Sequence, residues 1–238
     1  LSRGLGDVYK RQIQNNLIHG SFLANVKNLI FLGSSCVYPK FCNQPMKESY
    51  LLSGKLEETN DAYAIAKIAG IMMCYNYSLK YRLNYQSLMP PNLFGPGDNY
   101  DLKNSHFFPA LLKKIYLAKI KRKKTLNVWG TGKPKRELMF VDDLADAVLF
   151  FMKKKFKQPF INIGTGEERS ILWYAKYIMK KMNIKLKVQF DKTKPDGMPR
   201  KCLDVSIAKR HGWKPVNNLD IGFESTLNYF IKKIKIKT

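Results

Sequence analysis

An alternation of strand-like and helix-like segments constrains this chain more than any other feature. Leu29-Ile30-Phe31-Leu32-Gly33 is a short apolar run ending in a small residue, the pattern of a strand buried on both faces of a sheet. A loop of about thirty residues follows. Next comes a segment rich in Ala and Ile, from about Ala62 to Tyr81, that reads as a helix, and then a second strand-like run from Tyr85 to Met89. Parallel strands cannot be joined by a tight hairpin and need a crossover of helical length. The order therefore predicts an α/β fold built on a Rossmann-like doubly wound parallel sheet.

After Pro90 the texture changes. Pro and Gly cluster as far as Asn99, and Phe107 to Lys121 then reads as a helix with Asn104 or Ser105 as its cap. A strand at Leu126 to Trp129, a helix at Asp142 to Lys154, a strand at Phe160 to Ile163 and helices near Ser170 to Met182 and Leu219 to Ile234 complete the expected elements. These later segments predict a smaller α/β lobe. The expected division is residues 13–103 for the sheet domain and 104–238 mainly for the lobe, interleaved with the end of the sheet domain. Residues 1–12 stand apart, because they share no hydrophobic period with the residues after them. Asp7-Val8-Tyr9-Lys10-Arg11-Gln12 resembles the translation of a transposon end used in sequencing libraries, so this stretch is read as a scar. The fold is expected to begin inside a helix marked by Ile13, Leu17, Ile18 and Phe22.

The charge balance bears on the class of partner. A net charge of +24 raises the reading of a basic, non-catalytic nucleic-acid-binding protein. Only eight of the 42 basic residues are Arg, however, and the 34 Lys are scattered among Asn and Ile rather than gathered on one segment. That spread favours solvated faces, with no nucleic acid as partner. The longest apolar stretches, such as Ala147 to Met152, are too short to cross a bilayer, so no membrane association and a cytoplasmic location are expected. Cys36, Cys42, Cys74 and Cys202 lack CxxC spacing, which predicts reduced thiols and no metal site.

Tyr63 and Lys67 stand four residues apart and so share one face of the predicted helix. An ammonium there would stabilise a tyrosinate. Spacing alone does not single them out: Tyr177/Lys181 and Tyr229/Lys233 repeat it, and 13 Tyr with 34 Lys in 238 residues give about two such pairs by chance. Their setting does. Ser34 and Ser35 follow the first strand directly, at the strand end where doubly wound sheets bind ligands.

The order of Ser34-Ser35, Cys36-Val37-Tyr38-Pro39-Lys40, the Tyr63/Lys67 helix and Met89-Pro90 resembles the extended short-chain dehydrogenase/reductases that act on nucleotide sugars. Asn92 to Pro96, Arg136-Glu137, Phe140 to Asp143 and Asn162 to Gly166 continue the likeness. Within that superfamily the chain is most similar to the GDP-L-fucose synthase family, on five runs in order. These are GSSCVYPK from Gly33, AYAIAKIAG from Ala62, NSHFFPALL from Asn104, WGTGKPKRE from Trp129 and KPDGMPRK from Lys194.

The resemblance implies an NADP-binding Rossmann domain and a substrate-binding lobe. It also implies epimerisation of GDP-4-keto-6-deoxy-D-mannose at C3 and C5, followed by NADPH-dependent reduction at C4. Carbons beside a ketone exchange protons only when a base takes one, the enolate oxygen is stabilised and an acid returns a proton. By resemblance Cys36 is that base and His106 the acid, while Ser34, Tyr63 and Lys67 are catalytic at the carbonyl oxygen. NADP(H) would contact Leu32, Gly33, Ser34, Ser35, Lys67, Pro90, Asn92, Leu93 and His106. The GDP-sugar would meet Lys114, Trp129, Arg136, Asp196 and Lys201, and the assembly would be a homodimer joined through helices of the sheet domain. His19 and His211 are read as structural.

Three departures qualify the likeness. Pro91 stands where the family usually has Thr, and Lys114 where it often has Arg. Gly4-Leu5-Gly6, Gly130-Thr131-Gly132 and Gly164-Thr165-Gly166 each begin a glycine-rich dinucleotide turn without completing it, so that turn is expected upstream of this chain. A fragment without it is expected to be inactive. The competing enzyme reading is another nucleotide-sugar enzyme, a 4-epimerase or dehydratase; a simple 4-epimerase needs neither Cys36 nor His106.

Overall fold

In the computed structural model, which describes residues 2–102 and 104–235, the alternation forms a parallel sheet. Strand β1 (Asn28–Leu32) pairs in parallel with β2 (Asn84–Met89), Leu29 opposite Tyr85 and Leu32 opposite Leu88. Beyond β2 lies β6 (Ile161–Asn162), also parallel. The crossover from β1 to β2 is α2 (Asp61–Tyr81), which ends as Arg82 turns into the left-handed region at φ 56°. Every residue of β2 is buried, its polar Asn84, Gln86 and Ser87 included, because a central strand is covered on both faces. On one face α2 packs with α1 (Ser2–Leu23) around Ile18, Cys74 and Tyr85. On the other, α4 (Val141–Met152) sets Leu144, Ala147 and Phe151 against Leu88 and Ile161. Helices on both faces of a parallel sheet are the doubly wound arrangement expected.

The lobe holds two further small sheets. In one, β5 (Lys135–Phe140) runs parallel to β3 (Asn92–Phe94) and antiparallel to β7 (Glu168–Ser170). In the other, β4 (Thr125–Trp129) pairs in parallel with β8 (Lys187–Asp191). Helices α3 (Phe107–Ile120), α5 (Ile171–Lys181) and α7 (Leu219–Lys235) close over a core rich in aromatics, including Phe94, Phe108, Phe140, Tyr174 and Phe223. A short α6 (Ser206–Arg210) leads into the last connection. Interleaving is visible in the pairing, since β6 returns to the first sheet before β7 joins the second.

The elements missed by sequence reasoning are β3, β5, β7, β8 and α6. Lys135-Arg136-Glu137 is three consecutive charges without alternation, and its pairing with β7 makes it a strand; Lys187 to Asp191 does alternate polar with apolar residues and was passed over. The cap expected for α3 is also corrected. His106 occupies the N-cap and makes no capping bond, while the Asn104 and Ser105 N–H groups donate to Asp101 in the preceding turn. Ser170 does cap α5, accepting from the Trp173 N–H at 3.1 Å. Residues 2–12 continue the helix expected from Ile13. Among the described residues no helix is long and apolar enough to cross a membrane.

Candidate active site

A cavity of about 910 Å³ opens at the carboxyl ends of β1 and β2, and Ser34, Cys36, Tyr63 and His106 all line it. The loop after β1 is held along β2 by Gly33 N–H to Leu88 O at 2.8 Å and Ser35 N–H to Pro90 O at 3.1 Å. A Cβ on Gly33 would lie 2.8 Å from Met89 Sδ, so a side chain there would require the end of Met89 to move. Ser34, in extended conformation, then caps a single 3-10 turn by accepting from the Cys36 N–H at 3.3 Å, which directs Cys36 into the same cavity. Tyr63 enters from the first turn of α2. One turn on, Lys67 Nζ donates to Leu32 O at 2.7 Å and lies 5.9 Å from the Tyr63 ring centre. Burial, helped by the charge of Lys10, lowers the pKa of Lys67. Lys10 itself stands 4.7 Å from the Tyr63 ring. His106 lines the cavity from the start of α3.

The residues assigned to the cofactor divide here. Leu32, Gly33, Ser34, Pro90, Asn92, Leu93 and His106 line the cavity, whereas Ser35 is buried behind it and Lys67 reaches it through the Leu32 carbonyl. Pro91 is also on the wall, where it presents a ring and no hydroxyl. A glycine at the carboxyl ends of parallel strands and beside a Tyr/Lys pair suits the flat nicotinamide end of a dinucleotide.

Cys36 is the cavity's thiol, and its pKa is lowered. Burial raises its pKa, but the charge and hydrogen bond of Lys201, the hydrogen bond of Ser34 and the charge of Arg136 outweigh burial and hold it below the ordinary thiol value. Lys201 Nζ donates to Cys36 Sγ at 3.0 Å. The other cysteines differ: burial raises Cys42 and pushes Cys74 and Cys202 up to about 12. Lys201 was expected among the substrate contacts, and in the structure its ammonium lies against the thiol.

The remaining substrate residues gather in a second, smaller cavity of about 210 Å³, lined by Lys114, Trp129, Arg136 and Asp196. Lys114 Nζ lies 4.7 Å from the Trp129 ring centre and Lys194, which sequence reasoning did not single out, 5.8 Å. Asp196 accepts from the Thr131 N–H and hydroxyl, both at 2.7 Å. Arg136 donates to the carbonyls of Met198 at 2.6 Å and Lys135 at 2.8 Å, and its charge reaches Cys36, so it links the two cavities. His19 and His211 lie elsewhere, His19 bonded to the Tyr77 hydroxyl at 2.7 Å and His211 packed on Phe151 and Phe156. Sequence reasoning also passed over Glu137, although it adjoins Arg136 in a run already noted. Its carboxyl is fully buried and pushed up to about 7 by burial, against the pull of the Leu203 and Gly166 N–H groups and of Thr165.

Comparison with known proteins agrees with this geometry. A profile of the NAD dependent epimerase/dehydratase family matches residues 8–164. A GDP-L-fucose synthase from Sinorhizobium fredii is 43% identical over 228 residues, covering 95% of this chain and 73% of that protein. Among solved structures, a GDP-D-glycero-L-gluco-heptose synthase from Campylobacter jejuni, determined in the presence of NADPH, superposes with a TM-score of 0.85 at 32% identity. It covers 97% of this chain and 78% of that one. A GDP-L-fucose synthetase from Naegleria fowleri bound to NADP gives a TM-score of 0.86 at 26% identity, over 95% of this chain and 70% of that one.

Proposed function

Because the chain belongs to the NAD dependent epimerase/dehydratase family, and within it to the GDP-L-fucose synthases, we propose that it converts GDP-4-keto-6-deoxy-D-mannose to GDP-L-fucose. The route is epimerisation at C3 and C5, then reduction at C4. The observation that carries this reading is the Lys201 Nζ to Cys36 Sγ contact of 3.0 Å, in a cavity lined by Ser34, Tyr63 and His106. A simple ketone reductase needs no activated thiol. An enzyme that first removes protons beside the ketone needs a base, and a thiol held below its ordinary pKa can serve as one.

In this mechanism the Cys36 thiolate takes a proton from a carbon flanking the ketone, and His106 returns one to the opposite face. Each flanking carbon passes through an enolate, whose oxygen is held by the hydroxyls of Ser34 and Tyr63. Lys67, tied to the Leu32 carbonyl, keeps its charge beside the Tyr63 ring and favours loss of the phenolic proton. Tyr63 then gives that proton to the C4 oxygen in the reduction. NADPH, when bound along Leu32 to Ser34, Pro90, Asn92 and Leu93, supplies the hydride. Lys114, Trp129, Arg136 and Asp196 hold the GDP portion.

The assembly follows from the same reading. Ile13 and Leu17 on α1, with Ile65 and Leu79 on α2, leave an apolar face exposed, and a second copy of the chain covers it in a homodimer. Free thiols at all four cysteines suit the reducing cytoplasm. The deciding experiment supplies the full-length gene product with GDP-4-keto-6-deoxy-D-mannose and NADPH, and the expected product is GDP-L-fucose. Turnover of a UDP-hexose with no reaction on the GDP-sugar would replace this reading with a 4-epimerase.

A further inference from the structure

We propose that Glu137 is a positioning residue for the epimerisation half of the reaction: its carboxylate sets the register of the 199–203 segment that holds Lys201 against Cys36. The inference rests on the reading of Cys36 as a base.

The segment has little structure of its own. It lies beside β5 through Lys135 N–H to Pro199 O at 2.9 Å and Glu137 N–H to Lys201 O at 3.1 Å. Beyond Lys201, Cys202 O accepts from the Met46 N–H at 2.7 Å, and a bridge joins Met46 to Leu203. Glu137 grips this segment twice. Its backbone N–H donates to Lys201 O, and two residues on Leu203 N–H donates to Glu137 Oε2 at 2.7 Å. The other oxygen, Oε1, accepts from Gly166 N–H at 2.8 Å and Thr165 Oγ1 at 3.3 Å. One carboxylate thus ties β5 to the Lys201 segment and to the turn after β6. Both of its oxygens are occupied.

The environment supports a purpose beyond packing. Burying a carboxylate costs desolvation energy that an apolar side chain of similar size would avoid. Here burial pushes the group up to about 7 and it is nonetheless retained against three donors. A shift of the segment by even part of a residue would move Lys201 Nζ from its 3.0 Å contact. The charged groups facing Cys36 are Lys201 and Arg136, so displacing Lys201 leaves only the hydrogen bond of Ser34 and the weaker charge of Arg136 to oppose burial.

Glutamine is the informative replacement, because its amide presents a donor to either Leu203 N–H or Gly166 N–H where the carboxylate accepts from both. The test is the pH dependence of Cys36 alkylation by iodoacetamide, followed by peptide mass spectrometry on the full-length gene product. This readout needs no substrate and so stands apart from the activity assay. In Glu137→Gln the midpoint is expected to rise by about one unit, lowering the alkylation rate at neutral pH about tenfold. In a Lys201→Met background the same substitution is expected to add nothing, since its effect passes through Lys201. A folded Glu137→Gln protein with the wild-type midpoint overturns the proposal, as does an equal shift with and without Lys201. Glu137→Asp is read where the Gln variant does not fold. It keeps the charge but is one methylene short of spanning both partners, and an intermediate rise is expected; a wild-type midpoint there also overturns the proposal. If Cys36 shows the lowered midpoint and the Glu137 dependence but the GDP-sugar is not epimerised, the functional reading fails and the positioning role stands.

Discussion

Of the three helices that carry a Tyr-x-x-x-Lys pair, α2 and α5 put it to different uses. In α2 the Lys67 ammonium lies 5.9 Å from the Tyr63 ring centre, and in α5 Lys181 lies 5.8 Å from that of Tyr177. Local geometry is the same within the width of a bond vibration. What differs is what each pair faces. Tyr177 donates to Asp220 at 2.6 Å, and Lys181 pairs with the same carboxylate at 3.0 Å. Burial and that carboxylate together raise the Tyr177 pKa. An anion beside a phenol opposes its ionisation, so this pair is locked as structure. Tyr63 stands instead where two parallel strands end, with Lys67 anchored to the first of them and a polarised thiol in the same cavity. A Tyr/Lys spacing is therefore neutral until the fold supplies its surroundings.

Substitutions test that contrast, from the greatest effect to the least. Replacing Tyr63 by Phe removes the proton donor at the ketone, and NADPH oxidation by the full-length gene product is expected to fall by on the order of 10² to 10⁴. A fall confined to KM would erase the distinction between the two helices. Cys36→Ser sharpens it by separating the two half-reactions. Deuterium uptake from solvent at C3 and C5 should drop by on the order of 10² or more, while Tyr63 remains able to serve reduction of an already epimerised ketone. Tyr177→Phe should leave both rates alone and cost about 1 kcal/mol of stability through the lost Asp220 bond, seen as a few degrees in thermal melting. Loss of turnover in that folded variant would mean the α5 pair is not merely structural. Lys181→Met is expected to change stability by less than about 1 kcal/mol, since it breaks a partly exposed ion pair that added salt should weaken as well.

Legibility in the sequence followed the range of the interactions. The α2 helix was expected from Ala62 to Tyr81 and begins at Asp61, and the second strand was expected from Tyr85 to Met89 and begins at Asn84, because burial on both faces writes itself into local composition. Ser34 was legible as the first polar side chain after an apolar run, although that run, expected to be buried on both faces, is only half-buried because β1 lies at the edge of the described sheet. The start of strand β5 was not, since three consecutive charges become a strand only by pairing with β7, whereas β8 alternates polar with apolar residues and was passed over. Among the site residues, Lys114, Trp129, Arg136 and Asp196 came from a resemblance of motifs, and they do share one cavity. Lys201 came from the same resemblance and sits elsewhere, at the thiol. Glu137 had no signal apart from its neighbour Arg136, because a buried carboxylate and a solvated one look alike in a sequence.

By itself, then, the sequence determined a strand–helix–strand core, with Tyr63 and Lys67 on one helical face and Ser34 at a strand end. Those features depend on periodicity and on neighbours within a few positions. Only the tertiary structure decided which of the equivalent Tyr/Lys pairs meets a cavity, that Lys201 approaches Cys36 from 165 positions away, and that Glu137 ties its segment in place. Charge and hydrogen bonding act over a few ångströms of space regardless of separation along the chain, so the reactivity of Cys36 is a property of the folded protein.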